Sequence, residues 1–541
     1  MNFDYIIIGA GSAGCVLANR LTQNGQHNVC VLEAGSDNNS FLVNTPGAFA
    51  AFMFLKKYNW SFNAQAKPEI RKGEPMFIPR GRGLGGSSAT NAMLYVRGQA
   101  EDYNHWAALG NEGWSFNDML PYFKKSEHNE DLSGELHGQG GPLNVSTRPV
   151  NYEISKRFIE ASKQAGFKYT DDFNGADQEG VGYYQCTIKD GQRCSAARGY
   201  LVPAMSRPNL DVKTGAYVKR ILIKDNKAIG VEVDINGSTH SIMANKEVIL
   251  SAGSIQSPQI LMLSGIGDEV ELAKHSIPVT KHLPGVGKNL QEHVDACILV
   301  RSKKRDGFTT SPLSMLKMIP DIFEYIFKKK GKLANSMLEA GAFLKSSDGL
   351  TRPDIQLHMG PLLFDDNGRD LRLMSGHGYS CHVCVLRPES RGSIQLKSNN
   401  YLDEPIIDFN FFSDEQGKDR QVIIDGMRQL RKIMAAPAFD EYRIDEMYPG
   451  FANESDDSIF AKVKERLGLV YHPVGTCKMG HDELAVVDEE LKVHGIAALR
   501  VIDASVMPTL ISGNTNAPTI AIAEKMADLI LADLASSHIT N

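Results

Sequence analysis

The chain has 541 residues, 42% of them hydrophobic and 23% charged, and a formal net charge of −6. A length of this order buries a large core and divides into two or more domains. The acid excess excludes a nucleic-acid binder, which needs a basic surface, and no run approaches the ~20 unbroken apolar residues of a membrane span.

Asp4 to Ile8 reads as a buried strand, Gly9-Ala10-Gly11-Ser12-Ala13-Gly14 as a glycine turn, and Cys15 to Gln23 as the helix behind it. Glycines let the backbone turn tightly and approach a pyrophosphate, whose charge then sits at the helix N-terminus. A second strand, Asn28 to Leu32, delivers Glu33 nineteen residues after Gly14, placed to accept hydrogen bonds from an adenosine ribose. Strand, turn, helix, strand and acid at this spacing predict a bound dinucleotide. With the first strand starting at residue 4, no cleavable leader is expected. The eight cysteines spread along the chain fit reduced thiols. The expected location is the cytoplasm, with contact at most to the inner face of the cell membrane.

Residues 41–75 are irregular and apolar, running through Phe52, Phe54 and Trp60. Arg80-Gly81-Arg82-Gly83-Leu84-Gly85-Gly86-Ser87-Ser88 is too rich in glycine for a helix. It is expected to be a loop passing close to a ligand, its amides forming a nest for negative charge, with a helix beginning about Asn91. From Asn209 to Val233 two β-rich runs meet at Asp225-Asn226, a hairpin. Glu247 to Gly253 is a buried strand, and a helix Ser257 to Leu263 follows, with Ser257 as its cap and Pro258 in first position. Between 311 and 467, alternating runs such as Asp354 to Met359 and Gly392 to Leu396 predict a mostly antiparallel sheet in a second domain. Cys381 and Cys384 form a C-x-x-C within a strand, with no second pair to complete a zinc site, so both are expected to be buried and no metal is expected. The chain returns to α/β character with a strand Leu499 to Ile502, then Asp503, and a helix from about Pro518 to Leu534.

Five blocks, in the correct order, resemble the glucose–methanol–choline (GMC) oxidoreductase family, and the likeness runs through essentially the whole chain. They are the N-terminal glycine turn with Glu33-Ala34-Gly35; Gly81 to Asn91; Gly253-Ser254-Ile255-Gln256-Ser257-Pro258 through Gly267; Tyr471-His472-Pro473-Val474-Gly475-Thr476-Cys477-Lys478-Met479-Gly480; and Asp503-Ala504-Ser505 with Gly513-Asn514-Thr515-Asn516-Ala517-Pro518-Thr519. Within the family, Gly378 to Cys384 and the block around His472 are most similar to bacterial flavin-dependent dehydrogenases of aliphatic primary alcohols. Choline dehydrogenases are the nearest competitor.

The resemblance implies an α/β, Rossmann-like FAD-binding domain over 1–150, 205–310 and 468–541. It implies an α+β substrate-binding domain with a mostly antiparallel sheet over 151–204 and 311–467. In this reading Gly9, Gly11, Ser12, Ala13, Gly14 and Glu33 hold the ADP half of FAD, and Trp60 and Val218 lie beside the adenine. Gly83, Asn91 and Leu94 run beside the flavin, while Asp503, Ala504 and Asn514 close the site from the other side. Some relatives attach FAD through a histidine in the glycine-rich block; Thr90 stands at that position, so a non-covalent cofactor is expected.

Oxidising an alcohol by hydride loss demands an acceptor, a base of near-neutral pKa and a neutral donor for the developing alkoxide. Flavin N5 is the expected acceptor, histidine suits the base, and an amide donates without titrating. Pro473 holds the backbone of His472 extended; the resemblance makes His472 the base and Asn516 its partner. His293, His358 and His382 are expected to be structural. Glu339 is open between a structural role and a pocket role, in which its carboxylate would bind a quaternary ammonium head. All three tryptophans lie within the first 114 residues, so the second domain offers no Trp cage for such a cation. Phe52, Phe54, Leu362, Leu363 and Phe364 suit an alkyl chain.

Residues 315–330 are apolar and end in a basic cluster, which is open between an ordinary packed helix and an interfacial one contacting a membrane. In the second case quinone becomes the natural electron acceptor. An oxygen-using oxidase, a choline dehydrogenase, a non-redox lyase that keeps FAD as scaffold, and an FAD-binding module without turnover are the alternatives.

Overall fold

The protein is described by a computed structural model that covers residues 1–365, 368–450 and 452–539, with backbone alone for 533–539. Strands Asn2–Ile8 and Val29–Glu33 pair in parallel, and helix α1 (Ser12–Thr22) connects them. Tyr5 to Ile8 and Val29 to Leu32 are apolar runs rich in β-branched residues and buried on two faces, as strands inside a parallel sheet must be. They belong to a seven-stranded sheet ordered Leu210–Thr214, Val29–Glu33, Asn2–Ile8, Ser238–Leu250, Lys227–Ile235, Ala216–Lys224, with Leu499–Val501 beside Ser238–Leu250. The expected hairpin turns at Asp225 and Asn226, which have φ of 52° and 56°, the left-handed pair that a tight hairpin requires.

Two sequence expectations fail in this half. Helix α2 spans Gly253–Leu263, starting four residues before the expected cap, so Pro258 lies inside it. The start is set by a distant residue: Asp503 Oδ2 accepts from Gly253 N at 2.8 Å and from Ser257 Oγ at 2.6 Å. Pro258 leaves the Ser254 carbonyl without its helical donor, and Thr476 Oγ1 donates to that oxygen at 2.6 Å instead. Nor does a helix begin at Asn91. Residues 91–99 run without regular helix, Leu94 bridging to Cys186, and the next helix is Ala100–Ala108.

The second sheet is antiparallel throughout, ordered Arg443–Tyr448, Val294–Ser302, Gly378–Val385, Ile355–Gly360, Ala340–Leu344, Gly180–Tyr183, with Gly468–Leu469 beside Val294–Ser302. Strand Val294–Ser302 carries this sheet into the range read from sequence as the first domain. One face, with Ile298, Val383 and Leu357, belongs to the apolar core. Two short helices, α3 (Pro312–Lys317) and α4 (Ile319–Lys328), cross the chain outside the sheet. The longer α5 (Lys418–Met434) packs on the apolar face so closely that a Cβ on Gly426 would sit 2.9 Å from Val383 Cγ2. The opposite face presents His358 and His382, which are cross-strand partners, together with Asp295. Alternation along the strand also puts Cys381 and Cys384 on opposite faces, so the C-x-x-C cannot chelate; both thiols are buried and free.

Helix α6 (Asn516–Ile539) returns beneath the first sheet, its buried Glu524 paired with Arg20 of α1 at 2.7 Å. Among the described residues no helix is long and apolar enough to cross a membrane.

Candidate active site

At Gly9 and Gly14 the glycine turn leaves no space for a side chain. A Cβ on Gly14 would lie 2.0 Å from the Gly9 carbonyl oxygen, and Gly9 has a φ of +98°. Helix α1 starts at Ser12 with neither a side-chain cap nor an acid in its first turn, so its first amides are left for an anion. Ser12 Oγ donates to Asn516 Oδ1 at 2.7 Å, which brings the N-terminus of α6 against that of α1. Glu33 joins the turn to the glycine-rich loop by accepting from Ala10 N (3.0 Å), Gly35 N (2.8 Å) and Gly83 N (3.0 Å). A carboxylate offers about four lone-pair sites, so capacity remains for hydroxyls in the cavity it lines.

That cavity measures about 350 Å³, within the range of ligand sites. Gly9, Gly11, Ser12, Ala13, Glu33, Trp60, Asn91, Leu94, Val218, Asp503, Ala504 and Asn514 line it, as do Thr90, His472 and Asn516. Gly14 and Gly83 stand behind the lining. Gly83 has a φ of +112° and would place a Cβ 2.4 Å from the Asn38 amide. At one end Trp60 and Tyr217 flank the Arg82 guanidinium, 5.1 and 5.5 Å from the two rings. Beside Asn91 stands Arg193, which no motif in the sequence marks. Its buried guanidinium donates to Asn91 O (2.7 Å) and Asn91 Oδ1 (2.8 Å), fixing the loop, and burial pushes its pKa down to about 9.

At the far end the chain brings His472 to Asn514, not to Asn516. Asn514 Nδ2 lies 3.2 Å from His472 Nε2. Asn514 Oδ1 accepts from Gln356 Nε2 at 3.2 Å, which orients the amide with its NH2 group toward the histidine. Asn516, two residues on at the start of α6, points to Ser12. Asn514, expected beside the flavin, therefore takes the place expected for Asn516: Asn514 lies in the loop before α6 whereas Asn516 is the first residue of that helix, and the two side chains leave the chain in different directions.

His472 is fixed from behind. Its Nδ1 is 3.0 Å from Nδ1 of His293, whose Nε2 sits 3.1 Å from both Leu386 O and Ile511 O. Carbonyls only accept, so His293 carries its proton on Nε2 and accepts on Nδ1. His472 therefore donates from Nδ1 and keeps a lone pair on Nε2, facing the cavity. Burial pushes His293 down to about 4, and burial with the neighbouring His293 holds His472 well below the usual histidine range. Glu292 Oε1 accepts the backbone N–H of both His472 (2.7 Å) and His293 (2.9 Å), and burial pushes Glu292 up to about 8. Its Oε2 has no partner among the described residues.

His293 is thus more than a core histidine, and His358 and His382 line the cavity rather than the core. His382 Nδ1 meets Asp295 Oδ2 at 2.7 Å, while burial pushes His358 down to about 3. The signal that marks these residues is Glu292, His293 and Asp295 at the mouth of the apolar strand Val294–Ser302, where charge has no structural reason to be.

The GMC oxidoreductase family model matches residues 3–295 and again 388–523. The chain belongs to the GMC oxidoreductase family. This GMC chain is 44% identical over 540 residues to an alcohol dehydrogenase (acceptor) of Pseudomonas putida, covering 99% of this chain and 97% of that one. It is 42% identical to an oxygen-dependent choline dehydrogenase of Vibrio vulnificus, covering 98% and 94%. A solved formate oxidase of Aspergillus oryzae, described in connection with FAD modification, superposes with a TM-score of 0.89 at 27% identity over 98% of each chain. As a GMC oxidoreductase the protein is an enzyme whose expected cofactor is FAD. The uncapped first turn of α1, the close-packed glycines 9 and 14 and the spare acceptor capacity of Glu33 fit that dinucleotide.

Glu339 takes no part in the GMC cavity. Its carboxylate accepts from Asn151 N (2.7 Å) and Tyr152 N (3.2 Å), holding a loop. Of the apolar residues expected around an alkyl chain, Phe52 and Phe364 line the cavity, Leu362 and Leu363 are buried beyond it, and Phe54 is half-exposed.

Proposed function

We propose that the chain oxidises an aliphatic primary alcohol to the aldehyde, with FAD held non-covalently and the electrons leaving to a quinone or another non-NAD acceptor. The observation that carries this reading is the convergence of His472 Nε2 and Asn514 Nδ2 at 3.2 Å in the cavity that the glycine turn also lines. When bound, FAD supplies the hydride acceptor. The protein's own part is to remove one proton and to hold one oxygen. His472 Nε2, unprotonated, takes the hydroxyl proton. Asn514 Nδ2 donates to the oxygen as it gains charge, a contribution of roughly 2.7–4 kcal/mol by analogy with oxyanion donors. His293 keeps the histidine in the tautomer this needs, and Glu292 holds the backbone of both rings. Gly9, Gly11, Ser12, Ala13 and Glu33 would hold the ADP half, with Asn91, Leu94, Asp503 and Ala504 about the flavin.

In this reading the first sheet is the centre of a discontinuous nucleotide domain and the second sheet the centre of a substrate domain. Val294–Ser302 and Gly468–Leu469 cross from the first range into the second sheet, whose polar face would supply the floor of His358, His382 and Asp295. Phe52, Phe364 and Leu338 on the walls favour an alkyl chain. Dehydrogenation of choline is the second reading, and Asp295 favours it: this carboxylate lines the cavity and its Oδ1 has no partner among the described residues. Against it, His382 neutralises the same carboxylate from 2.7 Å, leaving little field for a quaternary ammonium. A cytoplasmic place at the inner face of the cell membrane, with residues 315–330 in contact with it, suits a quinone acceptor.

Anaerobic mixing of the FAD-loaded protein with octanol, benzyl alcohol or choline tests the reading. Octanol is expected to bleach the flavin absorbance fastest. Preferential bleaching by choline would favour the second reading, and no bleaching by any alcohol would leave FAD as a scaffold for non-redox chemistry.

A further inference from the structure

Helices α3 and α4 bury almost nothing of their own apolar surface. Tyr325 is the buried side chain of α4, at 1% exposure, whereas Leu316 is 62% and Phe327 77% exposed, and Leu313, Ile319 and Phe323 are also turned outward. Phe323 and Phe327 stack on each other at 6.2 Å without covering. An exposed apolar face of this kind marks a contact surface.

What covers it is indicated by charge. The chain is acidic as a whole, yet residues 312–332 hold five lysines against two acids. A second copy docking through a two-fold axis would set that lysine cluster against itself, whereas an anionic lipid surface complements it and accepts the apolar side chains. At ten residues, α4 is far short of the ~20 needed to span a bilayer, so it lies on the surface.

The same helix rests on the cavity wall. The Tyr325 ring meets Phe41 at 5.7 Å and its hydroxyl donates to Asn44 O at 3.2 Å. Just beyond α4, Leu333 abuts Gly47, where a Cβ would lie 2.9 Å from Leu333 Cα. Gly47 belongs to the 3-10 helix Pro46–Met53, and Phe49, Phe52 and Met53 of that helix line the cavity. One layer of chain separates the apolar face from the proposed site.

We infer that the α3–α4 face seats on an anionic bilayer and that the Pro46–Met53 wall is the edge at which an alcohol dissolved in the lipid reaches the cavity. The route rests on the alcohol-oxidising reading; the docking stands on the exposed apolar face and its lysines. Low-solubility, long-chain alcohols are then delivered from the phase in which they concentrate.

The test compares the FAD-loaded wild type with a Phe323→Ser/Phe327→Ser variant, both changes lying on exposed positions. Co-sedimentation is measured with vesicles of phosphatidylcholine alone and with added phosphatidylglycerol. Turnover with a dye acceptor is measured for dodecanol carried in the vesicles and for butanol in buffer. The wild type should pellet with the anionic vesicles, and the variant should lose at least about tenfold in that binding. Its turnover of vesicle-borne dodecanol should fall at least about tenfold, with butanol turnover unchanged. Equal binding by the variant, equal binding to neutral vesicles, or self-association that the variant abolishes in the absence of vesicle binding would each overturn the docking. Unchanged dodecanol turnover in a variant that no longer pellets would overturn the route. A protein that oxidises neither alcohol would overturn the function and the route with it, while sedimentation still decides the docking.

Discussion

Nδ1 of His293 stands 3.0 Å from Nδ1 of His472, and the two carbonyls on the other side of His293 allow the pair one tautomer. The base therefore owes its free lone pair to a histidine that touches no substrate. Leucine at 293 would remove the acceptor, whereas glutamine can still accept from His472 and donate to a carbonyl. His293→Leu should slow alcohol-driven flavin reduction by ~10²–10⁴-fold, the scale of a wrong tautomer in other histidine bases. His293→Gln should stay within about tenfold of wild type. Rapid-mixing absorbance measures both, and equal losses in the two variants would reduce His293 to a packing residue.

The different partners of Asn514 and Asn516 give the two asparagines separable phenotypes. Asn514→Ala removes the donor and should cost ~10²–10³-fold in kcat, as loss of one oxyanion donor does, with FAD binding retained. Asn516→Ala breaks the bond to Ser12 and should weaken FAD binding while the loaded fraction turns over normally. Titration with FAD, together with single-turnover rates, distinguishes them; the opposite assignment would restore Asn516 as the partner of His472.

Glu292 makes stability fall with pH. Its carboxyl is pushed up from 4.5 to about 8 in the fold, so the folded state holds a proton that the unfolded chain releases. The contribution is fully present below the unfolded value and is lost as pH rises to about 8, at ~1.4 kcal/mol per unit of pH. Glu292→Gln keeps an acceptor for both backbone N–H groups and carries no titrating proton. Its melting temperature relative to wild type should rise across that interval, and a constant difference would contradict the shift.

Thr90 lines the cavity where some relatives carry a linking histidine. A hydroxyl there forms no histidyl bond, so acid precipitation should release all of the flavin into the supernatant. Colour retained in the pellet would reveal another point of attachment.

The sequence carried most of the nucleotide half, because its determinants are local. A glycine turn between two apolar strands, followed by Glu33, has few ways to fold, and those residues line the cavity. Determinants that are remote in the chain were not readable. The start of α2 depends on Asp503, 250 residues away, and Pro258 inside it is tolerated because Thr476 satisfies the freed carbonyl. The choice between Asn514 and Asn516 depends on where α6 begins, which composition does not decide. His358, His382 and Asp295 reach the cavity because they share one face of a sheet whose register only pairing fixes. The apolar segment after Ser311 was ambiguous for the same reason: periodicity predicts an amphipathic helix but not what covers its apolar face.

Neutral His472 takes the alcohol proton through Nε2, and anaerobic flavin bleaching by octanol across pH in wild type and His472→Ala measures this step. The His472→Ala variant should bind FAD normally and bleach ~10²–10⁴-fold more slowly. In the wild type the acid limb should lie below the ordinary histidine value of 6.5, because burial depresses this imidazole. A variant that bleaches at near wild-type speed would contradict it.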